Sequence, residues 1–277
     1  MTDLAQTQTE TSEHWGLGTL GAIPAVDIAG IPVHLVSEED AIDTIMAATR
    51  TEARRPLAVA SINLDHIHHF ARHGQHTPLA ALRGPEWFNL VDGAPIAAQV
   101  TRVSGVDYPR LAGSDLIEPI LTRAAADHLS IGVVGGSTEV TGLLTDRLSR
   151  DWPTIRFAGH WAPDRSALAD AAAQQQLAAE IRAARVDILL VCLGKPRQEQ
   201  WIEQYGLLSG ARVLLAFGAV VDFLAGRVSR APRWVVRMGF EWAWRLLLEP
   251  RRLAKRYLVQ GPPAYLAVRG RPRRVPS

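Results

Sequence analysis

"DILLVCLGKPRQEQW", residues 187–201, is the stretch that decides the fold. From Ile188 to Leu193 every residue is apolar, with no polar alternation, which is the pattern of a strand buried on both faces. Gly194 leaves room at the strand exit, Pro196 suits the first turn of a helix, and a helix-like run follows at once. A doubly buried strand that feeds straight into a helix is the unit of a parallel sheet layered with helices.

The same unit recurs along the chain. "LAVASIN" (57–63) precedes a helix through Phe70, and "WFNLVD" (87–92) precedes one near 94–103. "GSDLIEPILTRAAADH" (113–128) is a further helix. "SIGVVGG" precedes "STEVTGLLTDRLSR", "TIRFAGH" precedes the Ala-rich "SALADAAAQQQLAAEIRAARV", and "RVLLAFGAVVD" closes the series. These alternations predict an α/β fold: a Rossmann-like, mostly parallel sheet with helices on both faces. Ligands of such sheets bind beyond the carboxyl ends of the strands.

Three segments are expected: a polar, disordered stretch over residues 1–20, the α/β domain over 21–226, and a basic amphipathic appendage over 227–277. The net charge of +2 divides unevenly between them. Residues 227–277 hold thirteen Lys or Arg against Glu241 and Glu249, so the tail carries +11 and the rest −9. A basic tail on an acidic body calls for an anionic partner for the tail alone, whether lipid, membrane surface or nucleic acid. Residues 234–248, "WVVRMGFEWAWRLLL", are apolar around most of a helix, with Arg237, Glu241, Arg245 and Glu249 forming a charged ladder. The tail reads three ways: a packed helix, a dimer contact, or an interfacial helix on anionic lipid.

No secretion signal is visible in the acidic N-terminus, and no apolar run reaches the roughly 20 residues of a membrane span. Cys192, the single cysteine, reads as a small buried hydrophobe, which fits a reducing compartment.

The strand ends supply the candidate chemistry. Asp92 in "NLVDG" reads as an Asp-Gly turn or a cap of the next helix, or else as a general base at a strand end. Lys195, Arg197, Gln198 and Glu199 crowd a helix start, where phosphate oxygens bind well, though the P-loop spacing is absent. The alternative is a solvated helix start. Gly135 and Gly136 bring backbone amides close to a ligand, or make a plain turn; G-x-G-x-x-G is not satisfied. Ser61 and Asn63 are caps or ligand contacts. His66, His69, His73 and His76 would line one exposed helical face, with metal spacing at 69 and 73 but no interleaved Glu. No D-x-D pair is present, so no resident metal or other cofactor is expected.

Together, "NLVDG", "RLAGSDL", "VGG", "LGKPRQEQW", "FGAVVDFLAG", "RAPRW" and "GFEWAWRLLLEPRR" closely resemble the WecG/TagA/CpsF family of bacterial glycosyltransferases, in the family's order, from about residue 24 to 258. The resemblance implies an inverting, metal-independent transfer from a UDP-sugar, typically UDP-N-acetylmannosamine, to a sugar on undecaprenyl diphosphate. Such products feed teichoic acid and other surface polysaccharides. It also implies a cytoplasmic enzyme held peripherally on the inner face of the membrane by its C-terminal appendage.

Carried over by position, Asp92 matches the family's proposed base, Gln198 its "PRQE" glutamine and Asn63 its pocket asparagine. Ser61 stands where relatives usually have threonine. Arg245, Arg252 and Arg256 match or lie beside the appendage's functional arginines, and the His-rich helix is not a family hallmark. Two other classes compete: a dinucleotide-dependent oxidoreductase, which lacks its glycine fingerprint, and a nucleic-acid-binding module, which leaves the strand-end residues without a purpose. No nucleic-acid partner is therefore expected, and a homo-oligomer remains compatible with the tail.

Overall fold

The computed structural model describes residues 20–51, 54–218, 220–227, 241–248, 253–270 and 273–274. Six strands form one sheet: β3 (Leu57–Ile62), β4 (Glu86–Val91), β5 (Ser130–Gly135), β6 (Arg156–Trp161), β7 (Ile188–Cys192) and β8 (Val213–Leu215). Their spatial order is β4-β3-β8-β7-β5-β6, and every pairing is parallel. All residues of β3, β5, β7 and β8 are buried, as their almost wholly apolar patterns require, with Ser61 and Ser130 the polar exceptions.

Successive side chains along each strand feed two separate cores. Leu57, Val59, Ile188 and Leu190 face α1 (Glu38–Arg50), α4 (Gly113–Ala126) and α5 (Thr141–Asp151). Ala58, Ala60, Leu189 and Val191 face α2 (Leu64–Phe70), α3 (Ala94–Ser104), α7 (Ala171–Ala183) and α8 (Arg197–Tyr205). The expected α/β architecture, helices on both faces of a parallel sheet, is the architecture found.

Three local differences have local causes. The Ala-rich segment is two helices, α6 (Arg165–Ala169) and α7, because Asp170 turns extended and caps α7, accepting from Ala172 N–H at 2.9 Å. A hairpin, β1 (Ala25–Ile28) with β2 (Ile31–His34), precedes the sheet, turning through Ala29 and Gly30 at φ 55° and 92°. Strands of four residues leave little pattern to read. Third, α1 starts on Ser37, whose Oγ accepts from Asp40 N–H at 3.1 Å, with Glu38, Glu39 and Asp40 in its first turn.

The C-terminal segment returns to the body. After α9 (Val220–Leu224) and α10 (Glu241–Leu248), Leu253 is buried, a π-helical turn covers Lys255–Gln260, and α11 (Gly261–Val268) packs on α2 and α3. β9 (Arg273–Arg274) then pairs antiparallel with β1 as the third strand of the small sheet. The expected disordered segment over 1–20 falls almost wholly outside the described residues, as does the side-chain ladder from Arg237 to Glu249. Among the described residues no helix is long and apolar enough to cross a membrane.

Candidate active site

Four strand ends converge on one cleft of about 170 Å³, lined among others by Ser61, Asn63, Asp92, Gly194, Lys195, Gln198 and Gly218. β3 and β4 deliver Asn63 and Asp92 side by side, because Asp92 N–H continues the ladder onto Ile62 O at 3.0 Å. Asn63 Nδ2 donates to Asp92 Oδ2 at 3.0 Å, and Asn63 Oδ1 accepts from Lys195 Nζ at 3.1 Å. One amide thus joins the carboxylate to the ammonium.

Asp92 does not cap α3. The cap position belongs to Gly93 at φ 77°, with no side-chain cap bond, so the capping alternative is removed. Ser61 is buried at the cleft wall and its hydroxyl donates to Leu111 O at 2.8 Å, tying the loop before α4 to β3. Pro196 stands one residue ahead of α8, after a cis peptide bond, where the first turn was expected. The start of α8 is solvated only at Arg197, which is exposed; Gln198 and Glu199 are fully buried.

Charge is concentrated in this small volume. Burial foremost, and then Arg256, push the Lys195 ammonium down to about 8, against the pull of Asp65, Glu199 and Asp92. Burial works against ionising Glu199, yet the His66 hydrogen bond and the cationic groups nearby hold its carboxyl below the usual range. Asp65 likewise loses solvent but lies below its ordinary value through Lys195 and Arg256. Arg256 Nε reaches Asp65 Oδ2 at 3.3 Å, so the C-terminal segment places a guanidinium over the cleft.

A wider cavity of about 550 Å³ opens beside the cleft and shares Asn63, Asp92 and Arg256 with it. Its remaining lining includes Leu64, Pro95, Arg110, Tyr257 and Tyr265. Asp92 therefore stands where two compartments meet, one polar and one with apolar and aromatic walls.

Other candidates lie elsewhere. Gly135 and Gly136 are not in either lining; a Cβ on Gly135, at φ +103°, would sit 2.4 Å from the Cys192 carbonyl, and one on Gly136 would press on Val221. Cys192 is buried, its thiol pushed up to about 12 by burial. Arg245 belongs to α10, its side chain outside the described residues, as is Arg252 altogether.

The histidines are not the exposed face their spacing predicts. α2 ends at Phe70, which leaves His73 and His76 beyond it. His66 and His69 are buried because α11 covers the helix and Glu199 of α8 meets His66, and His69 stacks on His76 at 5.5 Å between ring centroids. His66 Nε2 meets Glu199 Oε1 at 3.1 Å. No group of three or more His, Cys, Asp or Glu among the described residues is placed to hold a metal ion. Asp65 and Arg110 are site residues that the motifs did not single out, and the pairing of Glu199 with His66 was not legible either, since burial of a charged side chain leaves no mark in one sequence.

Comparison with known proteins bears on this arrangement. The N-acetylglucosaminyldiphosphoundecaprenol N-acetyl-beta-D-mannosaminyltransferase of Bacillus subtilis (strain 168) is 30% identical over 168 residues, 60% of this chain and 62% of that protein. Its namesake in Bacillus spizizenii (strain ATCC 23059 / NRRL B-14472 / W23) is 31% identical over 168 residues, with the same coverage. The match thus spans 62% of the length of each of these curated relatives. The sequence model of the family described as "Glycosyl transferase WecG/TagA/CpsF family" matches residues 26–275, nearly the whole chain, and the chain belongs to that family.

Proposed function

We propose that this chain transfers an N-acetylmannosamine-type sugar from a UDP-sugar to a sugar carried on undecaprenyl diphosphate, with inversion and without a metal ion. The observation that carries the proposal is the position of Asp92, at the junction of a polar cleft and a wider cavity with apolar walls. Both relatives are named for transfer of N-acetylmannosamine to a lipid-linked acceptor.

The donor occupies the polar cleft at the strand ends, and the acceptor sugar enters from the wider cavity. The acceptor hydroxyl oxygen attacks the anomeric carbon as the bond from that carbon to the diphosphate oxygen breaks. The leaving UDP keeps the electron pair, and the hydroxyl proton passes to the Asp92 carboxylate. A carboxylate is a weak base for an alcohol, so proton loss accompanies sugar transfer instead of preceding it. Lys195 and Arg256 offset the charge growing on the departing diphosphate, in surroundings where such contacts are strong. Tyr257 and Tyr265 offer ring faces to the acceptor sugar, and the exposed Leu258, Val259 and Leu266 beside them suit contact with a lipid surface.

Asp92→Asn is expected to leave the melting temperature unchanged and to lower kcat by about 100-fold or more. UDP-N-acetylmannosamine and a short-chain lipid diphosphate acceptor serve as substrates, and NMR of the product gives the anomeric configuration. A near-normal rate would return Asp92 to the role of a turn residue.

A further inference from the structure

The Glu199–His66 pair has no part in the transfer above, yet it stands directly behind the residues that do. Both side chains are fully buried, one on α8 and one on α2. Glu199 Oε1 accepts from His66 Nε2 at 3.1 Å and from Gln198 Nε2 at 2.8 Å. An ionised carboxylate only accepts, so His66 carries its proton on Nε2, and burial keeps the ring neutral. Nδ1 is then a bare lone pair, and it accepts the backbone N–H of Asn63 at 3.3 Å.

The same logic orients both amides. Lys195 only donates and the Asp92 carboxylate only accepts, so Asn63 has its oxygen toward Lys195 and its nitrogen toward Asp92. The Gln198 nitrogen is committed to Glu199 and to Ala216 O at 2.8 Å. Every donor and acceptor from Glu199 to Asp92 therefore has one consistent assignment.

A tie between α2 and α8 would not need these groups. An apolar pair of similar volume often replaces a buried ionic one without loss of stability. Here Glu199 Oε2 and Gln198 Oε1 are buried with no hydrogen-bond partner among the described residues, a cost that apolar side chains would avoid. What apolar side chains cannot do is accept the Asn63 N–H.

We propose that Glu199 and His66 are positioning residues: they hold the Asn63 backbone, and with it the amide that aims the Asp92 carboxylate at the reacting centre. This rests on Asp92 acting as the base. The pair touches no substrate and acts through Asn63 alone. Loss of the Nδ1 acceptor lets the amide rotate, which misaligns the base without emptying the donor cleft.

The test uses the full-length protein and two variants. His66→Leu removes the acceptor, whereas His66→Asn puts an amide oxygen close to where Nδ1 stood. His66→Leu is expected to lower kcat by about 10- to 100-fold, the range of a small misplacement of a reacting group, with donor KM within about twofold. His66→Asn should recover most of that loss, and His66→Leu should add little to the defect of Asn63→Ala. In the wild type, imidazole ¹⁵N spectra should show His66 protonated on Nε2 and bare on Nδ1. The proposal is overturned if folded His66→Leu keeps its kcat, if Leu and Asn lose it equally, or if Nδ1 carries the proton. The spectrum decides even where His66→Leu does not fold. A wild type that moves no sugar sinks the functional proposal alone, because the spectrum still tests the hydrogen-bond chain.

Discussion

Asp92 and Lys195 show how residue identity and surroundings share the work. "VDG" marks a carboxylate at a strand end, but turn chemistry explains an Asp-Gly equally well, and only the structure places that carboxylate in the cleft, held by Asn63 at 3.0 Å. Lys195 was legible as a cation at a helix start; its lowered pKa was not, because that follows from burial and from Arg256, some 60 residues away in sequence. With its value at about 8, Lys195 is charged at neutral pH and loses its proton as pH rises through that value. Donor KM is therefore expected to climb by about tenfold between roughly pH 7 and 9, a loss of one charge-assisted contact, and Lys195→Met should start high and stay flat. Steady-state kinetics across that range check this, and an unchanged wild-type profile would remove Lys195 from donor binding. The stability sign is opposite. The unfolded chain holds this proton up to about 10.5, so between the two values unfolding takes up a proton and stability rises with pH.

At the scale of elements, strands and helices were legible because their patterns are strong: β7 is apolar throughout, β3 and β5 are so but for one serine each, and their helices follow at short intervals. The hairpin β1–β2 was not, being four residues a strand, nor was the break at Asp170, where a cap overrides an Ala-rich helical run. The "VGG" turn illustrates a motif whose explanation lies in packing between elements. Gly135 ends β5 in a left-handed conformation with its missing Cβ directed at the β7 backbone. Gly135→Ala is expected to cost about 2–3 kcal/mol through strain and clash. Urea unfolding would show it, and unaltered donor affinity in the folded fraction would confirm that the turn serves the sheet and not the ligand.

At the scale of the whole molecule, the described part of the tail is joined to the body. Its charge separates it from the body in sequence, yet Leu253, Arg256, α11 and β9 all lie against the body. Deleting residues 253–277 is expected to lower the urea midpoint and abolish transfer even to a short-chain acceptor in detergent, because the cleft loses Arg256 and α2 loses its cover. Transfer that survived in detergent would confine the segment to membrane attachment. By itself the sequence determined the parallel α/β architecture, since doubly apolar strands and amphipathic helices have few other ways to bury their surfaces. It also pointed to the strand ends as the candidate site, and to the family. Only the tertiary structure decided which strand ends meet, that Asn63 bridges Asp92 to Lys195, and that His66 of α2 faces inward onto Glu199. The physical reason is that hydrophobic periodicity is local and repeats along the chain, whereas burial of a charged group and the shift in its acidity depend on neighbours brought together from distant segments.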